Sequence, residues 1–193
     1  MYLFFDTETT GLPKNYQAPL DDFLNWPRLV QIAWSLFDAE GNHWGSKTFI
    51  IKPNGFTISE EVAKIHRVSQ ERAEAEGIPL EEALAKFSED LKTSATLVAH
   101  NIDFDEKIIG SEFLRLGLKN DLEEMQNMEK ICTMKSSANF CKIRNARGTY
   151  KWPNLSELHK CLFAIDFEDA HDALVDVKAC AKCFFALKRK NVI

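Results

Sequence analysis

The run LVQIAWSLF, residues 29 to 37, followed by the turn-forming DAEGN and then by WGSKTFIIKP, limits the possible folds more than any other stretch. Two apolar, β-branched and aromatic runs around a Gly-Asn turn predict a β-hairpin. LFF ahead of Asp6 predicts one more short strand, so three strands open the chain. The period then changes. SEEVAKIH (59 to 66) starts on Ser59 as an N-cap, and PLEEALAKFSEDLK spaces Leu80, Leu84, Phe87 and Leu91 as a helix does. TLVA (96 to 99) predicts a strand that runs into HNIDFD and a helical DEKIIGSEFLRLG, ended by Gly117. KICTM adds a strand, NLSELHKCLF a helix, and HDALVDVKACAKCFFALKRK a last helix with Leu174, Val177, Ala181 and Phe184 on one stripe. A strand meander followed by alternating helices and strands predicts an α/β architecture: a mixed sheet with helices packed on both faces.

At 193 residues and 45% hydrophobic, the chain supports one sizeable core, and no shift of composition divides it, so a single domain over residues 1–193 is expected. No basic leader precedes Asp6 and no apolar run reaches membrane-spanning length, which predicts a cytoplasmic location. Cys132, Cys141, Cys161, Cys180 and Cys183 form an odd, scattered set, and Cys180/Cys183 has no second pair to complete a metal site; buried thiols are expected. The formal net charge of −5 excludes a protein that grips a polyanion by overall charge. One local exception is KIRNARGTYKW, where Lys142, Arg144, Arg147 and Lys151 interleave with Tyr150 and Trp152; a solvated loop is its simpler reading.

The first strand carries the chemical anomaly. In FFDTETTGL, Asp6 and Glu8 lie two apart, so on a strand both leave the face of Phe4, while Phe5 and Thr7 take the other. Two adjacent carboxylates near a sheet centre repel and lose hydration, and a cation is the economical remedy. An oxygen-only donor set suits Mg²⁺ or Mn²⁺. In HNIDFD, Asp103 fits an N-cap and Asp105 the first helical turn, free to face the strand end. In HDALVDV, Asp172 caps the last helix, His171 precedes it, and Asp176 falls in its second turn. His171 and Asp176 would point about 140° apart if both were helical, at ~100° per residue, so a shared ligand pair is not expected.

Together these segments resemble the three motifs of the DnaQ-like, DEDDh family of 3′–5′ exonucleases: Asp6-Thr7-Glu8 the first, HNxxFD ending on Asp105 the second, His171-xxxx-Asp176 the third. The likeness runs from Met1 to the last helix. KIHRVS resembles a helix–turn segment that in the family usually reads HGI, with Arg67 in place of the glycine. The resemblance implies a ribonuclease H-like fold with a central mixed five-stranded sheet, and two divalent cations, Mg²⁺ or Mn²⁺. Asp6, Glu8, Asp105 and Asp176 would hold the ions and His171 would act as general base; an imidazole with a pKa of about 6.5 suits that role near neutral pH. It further implies substrate contacts at Thr7, Thr9, Leu12 (an apolar wedge against the last base), His66, Asn101 and Phe104; the helical spacing of Phe104 to Ile108 also suits a core residue.

The expected function is metal-dependent release of nucleoside monophosphates from single-stranded 3′ ends, with nucleic acid carrying a free 3′ end as partner. DTETTGL favours DNA over an RNA-trimming or short-oligonucleotide enzyme, and a chain that stops at Ile193 favours a stand-alone enzyme over a proofreading polymerase subunit. A catalytically silent nucleic-acid-binding module is the alternative from another class.

Overall fold

The computed structural model describes residues 1–165 and 172–193. In chain order the elements are β1 (Tyr2–Thr9), β2 (Leu29–Phe37), β3 (His43–Ile50), α1 (Glu60–His66), α2 (Gln70–Glu76), α3 (Leu80–Leu91), β4 (Thr96–Ala99), α4 (Ile102–Arg115), α5 (Lys119–Asn127), β5 (Glu129–Cys132), α6 (Thr133–Ser136), α7 (Ala138–Cys141), α8 (Leu155–Phe163) and α9 (Ala173–Arg189). The strands form one five-stranded sheet in the order β3-β2-β1-β4-β5. The expected hairpin supplies the antiparallel half, and β4 and β5 join parallel to β1, so the sheet is mixed.

Strand alternation sorts β1 between two cores. Leu3 and Phe5 bury against α3 and α4 through Leu84, Phe87, Ile109 and Phe113, whereas Phe4 buries against Val177, Ala181 and Phe184 of α9. Each fully buried Leu or Phe contributes about 1.5–3 kcal/mol relative to exposure, so the two-sided burial fixes which way every β1 side chain points. Asp6 and Glu8 therefore follow Phe4 toward α9, and Thr7 follows Phe5 toward α4. Opposite them, β2 carries one extra residue: Glu8 pairs with Gln31 but Thr9 with Leu29, a bulge at Val30 beside the strand end that bears the acids.

β4 is short. It pairs with β1 only over Tyr2–Phe4 and ends at Ala99, so β1 runs on without a strand neighbour on that side. α4 fills the gap with two buried acids seven residues apart, hence on one helix face. Asp105 accepts from the Thr7 N–H, and Glu112 accepts from the Leu29 N–H at 3.0 Å and from Arg28 Nε at 2.8 Å, with Arg115 Nε 3.4 Å from its other oxygen. Both carboxylates satisfy backbone donors that the sheet leaves unpaired.

Several local expectations are corrected. α4 is not capped by Asp103: Asn101 precedes the helix in a left-handed conformation (φ 79°), and Asp103 lies inside the first turn, exposed and paired with Lys135. Asn tolerates that conformation because its short polar side chain crowds the backbone little. Ser59 stands at the N-cap of α1 without a side-chain bond to it. Buried thiols are found at Cys180 and Cys183, whereas Cys132 and Cys141 are partly exposed and Cys161 exposed. α2 and α5 were not foreseen; their sequences are too polar to show an apolar stripe. No helix among the described residues is long and apolar enough to cross a membrane.

Glu112→Ala leaves the buried Leu29 N–H unpaired and takes the carboxylate from the half-buried Arg28 and Arg115, so it should lower unfolding free energy by about 3 kcal/mol in urea titrations. Glu76→Ala breaks an exposed pair with Arg72 on α2 and should change it by less than about 0.5 kcal/mol. Equal effects of the two substitutions would refute the clamping role of Glu112.

Candidate active site

At the end of β1, Asp6, Glu8 and Asp176 each place a carboxylate oxygen within 4.8 Å of the others. Asp6 and Glu8 come from alternate positions of one strand face, and Asp176 from the fourth residue of α9, the helix packed on that face. Asp172 fixes the start of α9 as expected, its carboxylate accepting from Leu174 N (3.1 Å) and Val175 N (3.2 Å).

The fourth acid arrives from the opposite layer. Asp105 is buried, and its Oδ1 accepts from both the Thr7 N–H (3.0 Å) and the Thr7 hydroxyl (2.7 Å). Its Oδ2 takes part in neither bond. Asp105 thus stands behind β1, outside the three-oxygen group, yet near enough to act on Asp6 electrostatically. Thr7, expected to touch substrate, lines the cavity and also fixes Asp105.

Burial and the neighbouring charges raise the proton affinity of Asp6, Glu8 and Asp105. Burial, then the charges of Asp105, Glu8 and Asp176, push Asp6 well above the usual carboxylate range. Glu8 is pushed up to about 8, first by burial and then by Asp176 and Asp105. Burial raises Asp105 to about 7 although its bonds from Thr7 pull the other way. An all-oxygen group that ionises with such difficulty near neutral pH is the donor set a hard divalent cation fits.

These residues line an open cavity of about 350 Å³ together with Thr7, Leu12, Tyr16, His100, Asn101, Phe104 and Asp105. A larger cavity, about 600 Å³, lies elsewhere among Phe23, Arg28, Lys52, Pro53, Pro79 and Arg115 and contains none of the acids, so size does not locate the chemistry. Leu12 is 73% exposed at the rim. Phe104 fits both of its sequence readings, packing on the main core while lining the cavity.

Thr9 and His66 do not line this cavity. The Thr9 hydroxyl donates to the Gly11 carbonyl at 2.6 Å, and His66 is buried, its Nδ1 accepting from Val68 N at 3.2 Å. Burial lowers the pKa of His66, whose Nε2 makes no hydrogen bond although the Thr9 carbonyl is near. Arg67 adopts the left-handed conformation (φ 62°) and closes α1, so the backbone turn that glycine suits is kept at that position. His171 lies outside the described residues.

Two lining residues were missed. His100 is the first residue of HNIDFD, and its Nε2 donates to the Pro153 carbonyl at 3.0 Å while Nδ1 lies 3.0 Å from the Thr133 hydroxyl. Burial lowers its pKa to about 4, and the Pro153 carbonyl assigns the neutral tautomer with the proton on Nε2. With both ring nitrogens engaged, His100 is held in the cavity wall. Tyr16 sits in the polar loop KNYQAP, where no spacing marks it; Lys107 Nζ donates to its carbonyl at 2.6 Å and ties that loop to α4.

A sequence model of the RNase_T family, described as Exonuclease, matches residues 3–184. No curated protein matches the chain. Among solved structures it is similar to E. coli Exonuclease I in complex with a dT13 oligonucleotide, at 21% identity and a TM-score of 0.76 over 97% of this chain and 40% of that one. The zinc-bound form of the E. coli ExoI–ssDNA complex matches at 24% identity and a TM-score of 0.71, covering 98% of this chain and 40% of that one. A moderately thermophilic Exonuclease I from Methylocaldum szegediense matches at 19% and 0.73, with the same coverages. The chain spans about two fifths of the length of these proteins.

The raised carboxylates give a signed prediction. Glu8 binds its proton more tightly when folded (about 8) than at its ordinary 4.5, so this stabilisation is full below pH 4.5 and lost as pH rises through 8. In chelator the melting temperature should therefore fall from pH 5 to pH 8.5. Mg²⁺ or Mn²⁺ should restore roughly 5 °C at pH 8.5 and little at pH 5 in a thermal-shift assay. A cation effect independent of pH would break the link between ion and acids.

Proposed function

This chain belongs to the exonuclease family, and on that premise we propose that it hydrolyses nucleoside monophosphates stepwise from the free 3′ end of single-stranded nucleic acid, DNA by preference. The observation that carries the reading is the meeting of Asp6, Glu8 and Asp176 within 4.8 Å in an open cavity, with Asp105 fixed behind them by Thr7. The similarity to Exonuclease I, whose structures hold single-stranded oligonucleotides, supports the same substrate class.

Asp6, Glu8 and Asp176 would hold divalent cations, Mg²⁺ or Mn²⁺, with Asp105 offering Oδ2. Bound ions supply charge neutralisation at the phosphate and a lowered pKa for water. His171, one residue before the Asp172 cap, takes the proton of the attacking water as the terminal P–O3′ bond of the preceding nucleotide breaks. The leaving 3′ oxygen gains a proton and becomes the new chain end. Leu12 stands against the last base, Tyr16 and Phe104 form further apolar wall, and Asn101 faces the sugar–phosphate. Neutral His100 adds no charge to compete with the acids.

The test uses 3′- and 5′-labelled single-stranded DNA and RNA of one sequence, with Mg²⁺, Mn²⁺ or chelator. Mononucleotides should leave the 3′ end, faster from DNA, and chelator should stop the reaction. Asp6→Asn and Asp176→Asn should each cost about a thousandfold or more in rate, ~4 kcal/mol of barrier. His171→Ala should lose about a hundredfold to ten-thousandfold while keeping the thermal shift with cation. Internal fragments, or full activity in chelator, would sink the proposal; faster release from RNA would transfer it to an RNA-trimming enzyme.

A further inference from the structure

Between Glu129 and Glu157 the chain contains no acid, although its overall charge is −5; the same interval holds Lys130, Lys135, Lys142, Arg144, Arg147 and Lys151. The segment at its centre is an ordered hairpin. Arg144 and Tyr150 form an antiparallel bridge, and Lys151 N donates to the Ile143 carbonyl at 2.8 Å. Asn145 organises the tip: its Oδ1 accepts from Arg147 N and Thr149 N, and its Nδ2 donates to the Thr149 hydroxyl at 2.7 Å. Its order comes mainly from these hydrogen bonds, since most of its side chains are exposed.

Those side chains divide into two sets. Lys151 pairs with Glu157 and Lys135 with Asp103, but Lys142, Arg144 and Arg147 are exposed and make no ion pair among the described residues. Tyr150 and Trp152 are 42% and 58% exposed, with Arg144 5.7 Å from the Tyr150 ring centre and Lys135 Nζ 5.9 Å from that of Trp152. Aromatic faces flanked by guanidinium and ammonium groups are what unpaired bases stack on while their phosphates meet the cations.

The hairpin also adjoins the cavity. Pro153, next to Trp152, accepts from His100, which lines the cavity. Lys135 joins the Trp152 ring to Asp103 in the first turn of α4, the turn that carries Phe104 and Asp105. The platform is therefore continuous with the rim that would receive the 3′ end.

We propose that residues 142–152 form a second binding site for the single strand, engaging nucleotides on the 5′ side of the terminal one: Trp152 and Tyr150 stack bases, and Lys142, Arg144 and Arg147 contact phosphates. It rests on the reading that the cavity accepts a 3′ end. A duplex does not fit, because its base faces are already stacked.

The test measures binding of 5′-fluorescein oligothymidylates of three and twelve nucleotides, with a 3′-terminal phosphorothioate to slow hydrolysis, to the full chain with Mg²⁺ across a salt series. The wild type should bind the longer strand at least about tenfold more tightly. Lys142→Ala/Arg144→Ala/Arg147→Ala should lose most of that advantage, and the slope of log affinity against log salt should fall by about 2, at ~0.7 per phosphate contact. Trp152→Ala should weaken the longer strand about tenfold and Trp152→Phe restore it, since stacking needs a ring and not an indole. In the wild type, whose folding is not at issue, the longer strand should quench an emission component that Trp152→Phe removes. A length advantage and salt slope retained in the triple variant, or no such quenching, would overturn the second site. If mononucleotide release from the 3′ end by wild type persists in that case, the exonuclease reading stands without it; absence of release removes the exonuclease reading first.

Discussion

The site depends on one hydrogen-bonded contact between parts of the chain 98 residues apart: Thr7, by its N–H and its hydroxyl, holds Asp105 Oδ1. A strand that outruns its neighbour exposes a donor that must find an acceptor, and here the acceptor is a carboxylate on the helix that closes the gap. The structural need and the chemical one coincide. The bond sets the depth of α4 against the sheet, Glu112 sets it again at Leu29, and the cavity wall formed by Asn101 and Phe104 follows from the helix being held there.

The cost of this arrangement is electrostatic. Three acids share one small volume and a fourth lies just behind, so Asp6, Glu8 and Asp105 resist ionising. Buried like charges are tolerated when something else compensates them, and the hydrophobic layers on both sides of β1 supply the stability that keeps the acids in place. The fold keeps its strongest apolar packing directly beneath its least comfortable charges: Phe4, fully buried, is two residues before Asp6 on the same face.

Much of this was legible in the sequence because it is written in short-range periodicity. The hairpin LVQIAWSLF–WGSKTFI, the helix spacing of Leu80 to Leu91 and the common face of Asp6 and Glu8 all follow from periods of two or 3.6 residues. What could not be read depends on contacts between distant segments or on backbone angles. Spacing gave Asp103 as the cap of α4, but the left-handed Asn101 starts the helix earlier. His100 was quoted within a motif, yet its role as a neutral wall comes from Pro153, 53 residues later. That Thr7 holds Asp105 could not be read at all, because sequence shows its neighbours and not a partner 98 residues away. The basic segment read as a solvated loop because composition cannot distinguish a loop from a hairpin braced by Asn145.

The shortness of β4 has a further meaning. Beyond Ala99, β1 continues from Asp6 to Thr9, four residues or roughly 13 Å of strand at ~3.3 Å each, with no strand on one edge and Asp105 of α4 on the Thr7 N–H. An edge of that kind is ordinarily a hazard, since it invites another strand to add itself. Here α4 covers it, and the room for that helix is set by where the neighbouring strand stops. Two more extended residues in β4 would reach Thr7 and compete with Asp105 for its N–H, so the place of that acid depends on the length of a strand that carries none of the four.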